Sequence, residues 1–292
     1  MTGSRSTELL GLSADARVLL VTCDDLGLHP TVNAAIVRAV EQGIARSCSF
    51  MPSCPGAPDA VRLLRDRPHV PVGVHLTLVC ETPAHPWGPM ADRAAVPSLL
   101  DAAGALHTPG QRGELLARVR LDEVEVEFRA QLRAVLEAGL QPTHLDWHCF
   151  ADGGRDDVFD LTLALADEHG LAVRAWLDHG RTALRRRGLP TLDHPFLDSF
   201  GMDVDGPATL EQALCELPIG LTEWALHPGS DDEAWRTVEP DGWRVRHRDA
   251  QFLTSPQARR IVAEEGIVLI GHREVHQAWT RLWEESPPEL SR

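Results

Sequence analysis

Asp24 and Asp25 stand side by side where a short apolar run ends, in VLLVTCDD. Like charges this close repel, so keeping both is favoured where a metal ion or a proton gives them different roles. Histidines recur in comparable places. His75 lies late in GVHLTL, His144, Asp146 and His148 are spaced through THLDWH, and His227 follows the run 221–226 in ALHPG. Alternation along a strand puts His144, Asp146 and His148 on one face. Apolar residues flank most of these groups, so each would be buried at a cost without a partner. One divalent metal would satisfy them together. Two imidazoles and a carboxylate form a set that leaves positions open for water and substrate. The spacing does not choose among Mg, Zn, Mn, Ni and Fe. Taken singly, each group has a plainer role open to it: His75 in the core, His144 bracing a turn, His227 in a turn before Pro228, the Asp pair in a surface turn.

Such groups are useful only if the fold gathers them. The segment 17–43 reads as a buried strand, a polar turn and a helix, with Pro30 in the first helical turn and Gly43 after the last. Further strands are expected at 47–51, 72–78, 143–148, 171–175, 221–226 and 267–270. Helices are expected at 57–67, 113–138, 158–169 and 210–217, and from Pro256 behind a Ser255 cap. The acidic run 122–127 is expected as a solvated helix face. Segments 80–110, 181–207 and 230–249 read as loops, and 283–292 as a tail. This alternation predicts one α/β domain over 1–292, a distorted parallel (β/α) barrel of seven or eight strands. In that architecture the carboxyl ends of the strands form the ligand-binding mouth.

Composition narrows the chemistry. The 292 residues are 43% hydrophobic, enough for a sizeable core, and carry a formal net charge of −15. That balance argues against nucleic-acid or anionic-membrane partners. Every basic residue is Arg, which excludes lysine Schiff-base chemistry. The six Cys form no CxxC pair, as expected of free thiols in a reducing compartment. No secretory h-region or long apolar run is apparent, so the expected location is the cytoplasm. A homodimer is an open expectation.

The stretch VTCDDLGLHPTVNAAIVRAVEQGIARSCSFMPSCPGAPDAV, followed by VGVHLTL, VPSLLDAAGAL, PTHLDWH, LADEHGLAVRAW, WALHPG and FLTSPQARRIVAEEGIVLI, resembles the YdjC-like carbohydrate deacetylases of the ChbG and HpnK type. The similarity is collinear over roughly 17–272. It implies a barrel of the glycoside hydrolase/deacetylase type and hydrolysis of an N-acetyl group on an amino sugar. It also implies one divalent ion, Mg or Zn foremost, on Asp25, His75 and His148. By the same resemblance Asp24 is the base, His227 the acid, and His144 a residue behind the ligands or facing substrate. Arg174 would orient Asp24. Asp146, Trp87 and Trp147 are further candidates around a small carbohydrate. One departure is plain: Trp147, Cys149, Phe150 and Asp152 replace the Ser and later His of the family's histidine cluster, implying a bulkier, more apolar wall.

Two other readings remain. A metal-independent barrel glycoside hydrolase would use Asp24 with Asp146 or Glu223, leaving His75 and His148 without a role. A non-catalytic sugar- or metal-binding homologue would keep the pocket and lose the chemistry.

Overall fold

The apolar run ending in the Asp pair forms strand β1 (Arg17–Leu26), buried on both faces from Val18 onward. It is followed by β2 (Ser47–Phe50), β3 (Val72–Leu76), β4 (His144–Trp147), β5 (Ala172–Val173), β6 (Leu197–Asp198), β7 (Gly220–Leu226) and β8 (Val268–Ile270). The computed structural model describes residues 5–82, 85–203 and 207–285. All eight strands join one parallel sheet in the order β5-β4-β3-β2-β1-β7-β6, with β8 beside the first half of β1. Strands covered on both sides read as continuous apolar runs, which is why the first half of β1 is recognisable from composition.

The sheet is curled. Arg174, immediately after β5, lies 2.5 Å from Glu223 on β7, so strands far apart in the order face each other across the interior. β5 and β6 do not pair with each other among the described residues, and the barrel is correspondingly open. No helix among the described residues is long and apolar enough to cross a membrane.

Several expectations are corrected. The segment 181–207, expected as a loop, holds the end of helix Asp178–Arg186, strand β6 and a short turn Ser199–Gly201. The segment 230–249 holds helix Glu233–Val238 and the start of helix Trp243–Thr254. Arg246, Arg248 and Asp249 are buried through pairing, which breaks the apolar periodicity that signals a helix. The helix expected at 113–138 is two, Arg112–Arg118 and Leu121–Glu137. Trp283, expected in a tail, lies in helix His272–Glu285 against Trp279, with ring centroids 5.6 Å apart. Residues 286–292 lie outside the described residues.

The acidic run is only partly a solvated face: Asp122 is exposed and Glu125 partly so, while Glu123 and Glu127 are buried. Glu127 is fully buried and accepts hydrogen bonds from the backbone N–H groups of Met90 and Ala91, both at 2.9 Å. Glu123 accepts from Ser98 N at 2.6 Å. These carboxylates clamp the long 80–110 connection onto the helix, supplying acceptors that its loop backbone would otherwise lack.

Candidate metal centre and active site

Adjacent residues of a regular strand point to opposite faces. Asp24 and Asp25 nonetheless line the same cavity of about 420 Å³. The pairing of β1 with β2 changes register between Cys23 and Leu26, and Asp25 has φ 69. An irregularity of this kind re-aims side chains, and strained backbone of this sort concentrates at functional sites. Gly27 completes the turn with φ 100, where a Cβ would lie 2.6 Å from Met51 O. Its N–H donates to Asn33 Oδ1 at 2.7 Å, anchoring the turn on helix Pro30–Gln42.

Asp25, His75 and His148 converge. Asp25 Oδ1 is 3.4 Å from His75 Nε2 and 3.0 Å from His148 Nδ1. One ligand atom from each of the three lies within 4.8 Å of the others. His75 donates through Nδ1 to Asp146 Oδ1 at 3.0 Å, which leaves Nε2 facing the cluster. Ser49 Oγ donates to the same Asp146 oxygen, and Arg174 donates to the other at 2.5 Å. A carboxylate behind an imidazole is the arrangement that orients metal-binding histidines. The donor set and its support therefore fit a divalent ion.

The other oxygen of Asp25 belongs to Arg246, whose Nη1 is 2.8 Å from Oδ2. Arg246 is itself held by Glu239 at 2.5 Å. Burial by itself would raise the pKa of Asp25. Arg246 and hydrogen bonds from His148 and His75 outweigh it, so the group stays well below the usual carboxylate range. Burial would lower His75, but Asp146 and Asp25 raise it to about 10. His148 is likewise raised despite its burial, by Cys149, Glu81 and Asp25. A ligating metal must displace such protons, so its affinity rises with pH.

Asp24 and His227 face each other from β1 and the end of β7. Arg174 Nη1 donates to Asp24 Oδ1 at 2.7 Å, while Oδ2 lies 3.9 Å from His227 Nε2. That gap is too long for a hydrogen bond. Burial raises the pKa of Asp24, and Arg174 and His75 offset only part of the effect. Asp249 accepts from the backbone N–H of His227 at 2.9 Å, and Ser199 Oγ lies 3.1 Å from its Nδ1.

Other expected residues are distributed differently. Arg174 joins Asp24, Asp146 and Glu223 in one buried network. Asp146 and Glu223 do not line the cavity, so neither is presented to it as a partner for Asp24. His144 does not face the cavity either. Its ring stacks on His272 with centroids 3.7 Å apart, and Nδ1 is 2.9 Å from Thr143 Oγ1. Trp147 is in the cavity wall, but Trp87 is not: its Nε1 donates to Val79 O at 2.9 Å.

Sequence reasoning missed Glu81, Trp176, Phe196, Phe200, Glu239 and Arg246, all of which line the cavity. Trp176 stacks on Phe196 at 3.9 Å and donates to Glu223 Oε2 at 2.9 Å. Most lie in stretches expected as loops. The available signal was their mixture of aromatic and charged residues, since functional groups gather on connections.

The family model described as YdjC-like protein matches residues 18–264. A carbohydrate deacetylase of Geobacillus stearothermophilus is 32% identical over 89% of this chain and 99% of that relative. A chitooligosaccharide deacetylase of Serratia marcescens is 28% identical over 87% and 97%. Among solved structures, an Enterococcus faecalis V583 protein provisionally described as a cellobiose-phosphate cleavage protein superposes with a TM-score of 0.73. It is 26% identical, over 88% of this chain and 98% of that one. With one match running from β1 to the end of the helix Pro256–Glu264, the chain belongs to the YdjC-like protein family.

Proposed function

We propose that this protein is a metal-dependent N-deacetylase acting on an amino sugar or short N-acetylated oligosaccharide. The observation that carries the reading is the convergence of Asp25, His75 and His148 beside a cavity that also receives Asp24 and His227. The names of its relatives point to the same substrate class. Asp25, His75 and His148 would hold the ion, which when bound polarises an acyl oxygen and acidifies water. Asp24, fixed through Oδ1 by Arg174, keeps Oδ2 available to accept the proton of the attacking water. A carboxylate raised by burial is better matched to that task near neutral pH than an ordinary one. His227, whose Nε2 lies 3.9 Å from Asp24 Oδ2, donates a proton to the departing amine. Trp147, Trp176, Phe196 and Phe200 supply apolar faces on which a sugar ring can lie.

The decisive test is a screen for acetate and free amine over N-acetylated mono- and oligosaccharides. Chelator-treated protein is assayed with Mg, Zn, Mn, Ni or Fe restored in turn. Metal-dependent acetate release supports the reading. Cleavage of a glycosidic bond that survives chelation overturns it.

His227→Ala separates the two proton transfers. An amine leaves poorly unless protonated, whereas the alcohol of an activated acetate ester needs no proton. The variant should therefore lose about 10²-fold more activity on an acetamide than on such an ester, with metal content unchanged. Equal losses on both substrates would make His227 a binding group rather than the acid.

A further inference from the structure

The His148 imidazole faces two clusters with its two nitrogens. Nδ1 is turned to Asp25 at 3.0 Å. Nε2 is turned the other way, 2.5 Å from Glu81 Oε2 and 3.3 Å from Cys149 Sγ. One ligand atom from each of Glu81, His148 and Cys149 lies within 4.8 Å of the others. All three residues line the cavity, and Cys149 is half-buried rather than sealed in the core. We propose that Glu81, His148 Nε2 and Cys149 form a second metal site, which takes a thiophilic divalent cation such as zinc, cadmium or cobalt.

The geometry is close to what such an ion needs. Zinc–nitrogen and zinc–sulfur bonds of about 2.0 and 2.3 Å at a tetrahedral angle place N and S about 3.5 Å apart. The observed separation is 3.3 Å. Glu81 must open outward from 2.5 Å, and its side chain, partly exposed, has room to do so. The thiol is also held in place. Cys149 has φ 61, and its carbonyl accepts from Arg112 Nη1 at 2.7 Å, fixing the backbone from which Sγ projects. On ligation the thiol releases its proton to water, the thiolate and carboxylate supply two negative charges, and the fourth position stays open to the cavity. A sulfur, nitrogen and oxygen set selects softer cations than the nitrogen and oxygen set of Asp25, His75 and His148. Because opposite ring nitrogens serve the two clusters, both can fill together once the ring has released its N–H protons to solvent and bridges the two ions as an imidazolate.

This inference shares His148 with the proposed catalytic centre but does not depend on deacetylation. Cobalt(II) titration of the chelator-treated full chain, followed by absorbance, tests it. The expected result is a near-ultraviolet thiolate-to-cobalt charge-transfer band in the unaltered protein. Cys149→Ser and Cys149→Ala should both lose the band and take up one ion fewer. Glu81→Gln should keep it with affinity weakened about 10-fold or more. His75→Ala should keep the band while losing uptake at the other cluster. No band in the unaltered protein, a band that persists without Cys149, or a band lost in His75→Ala would each overturn the proposal. A full band with no uptake at Asp25, His75 and His148 would instead sink the catalytic reading and leave this one standing.

Discussion

Asp24→Asn should keep its metal and lower kcat by about 10²–10⁴-fold, the usual contribution of a positioned general base. The amide matches the carboxylate in size and can still accept from Arg174 through its oxygen, so the network around Asp146 and Glu223 should persist. What is lost is the basic Oδ2 facing His227. The pH–rate profile gives a second readout. A base works only when deprotonated, so activity in the unaltered protein should rise with pH through the Asp24 titration, which burial moves upward. That acid limb should vanish in the variant. Retained turnover with an unchanged acid limb would place the base elsewhere. Asp25→Asn should behave differently, losing metal before anything else. If the two variants proved alike in metal content and in rate, the division of labour between the carboxylates would be wrong.

His75→Ala and His148→Ala should each empty the catalytic metal site and abolish metal-dependent turnover. Losing a ligand weakens binding by more than the roughly 10–100-fold that removal of an orienting partner costs. Asp146→Asn offers that smaller effect for comparison, because Asp146 supports His75 from behind without facing the cavity. The expected order of metal affinity is therefore unaltered protein, then Asp146→Asn, then the histidine variants. Elemental analysis of chelated and reloaded protein reads it directly. Full stoichiometric metal in His75→Ala, alongside loss in a His144 variant, would redraw the site around the wrong face of the sheet. His144 lies stacked on His272, away from the cavity, so its replacement should leave metal content intact.

The strand-and-turn framework and the chemistry at strand ends were legible in the linear chain because both are local. β1 opens on the uninterrupted apolar run Val18–Val21, and the turn after it announces itself through Pro30 and the helix that follows. Asp and His at the ends of such runs suggest a metal because one ion would satisfy them together, although the folded chain also supplies Arg174 and Arg246 as partners for the carboxylates. What local pattern could not convey was which side chains would share a space. Alternation would have parted Asp24 from Asp25. The register change and the left-handed backbone at Asp25 bring both into one cavity. Alternation would equally have grouped His144 with His148, yet the short strand ends at Trp147 and leaves His148 in the turn above. The partner of Asp25 is Arg246, drawn from a helix whose first half reads as loop because Arg246, Arg248 and Asp249 are buried there. Glu127 escaped notice as a buried clamp for the same reason. Periodicity records which face of an element meets apolar neighbours. It is blind to a charge buried against an opposite charge far along the chain, because that compensation exists only once the sheet has curled and brought the two together.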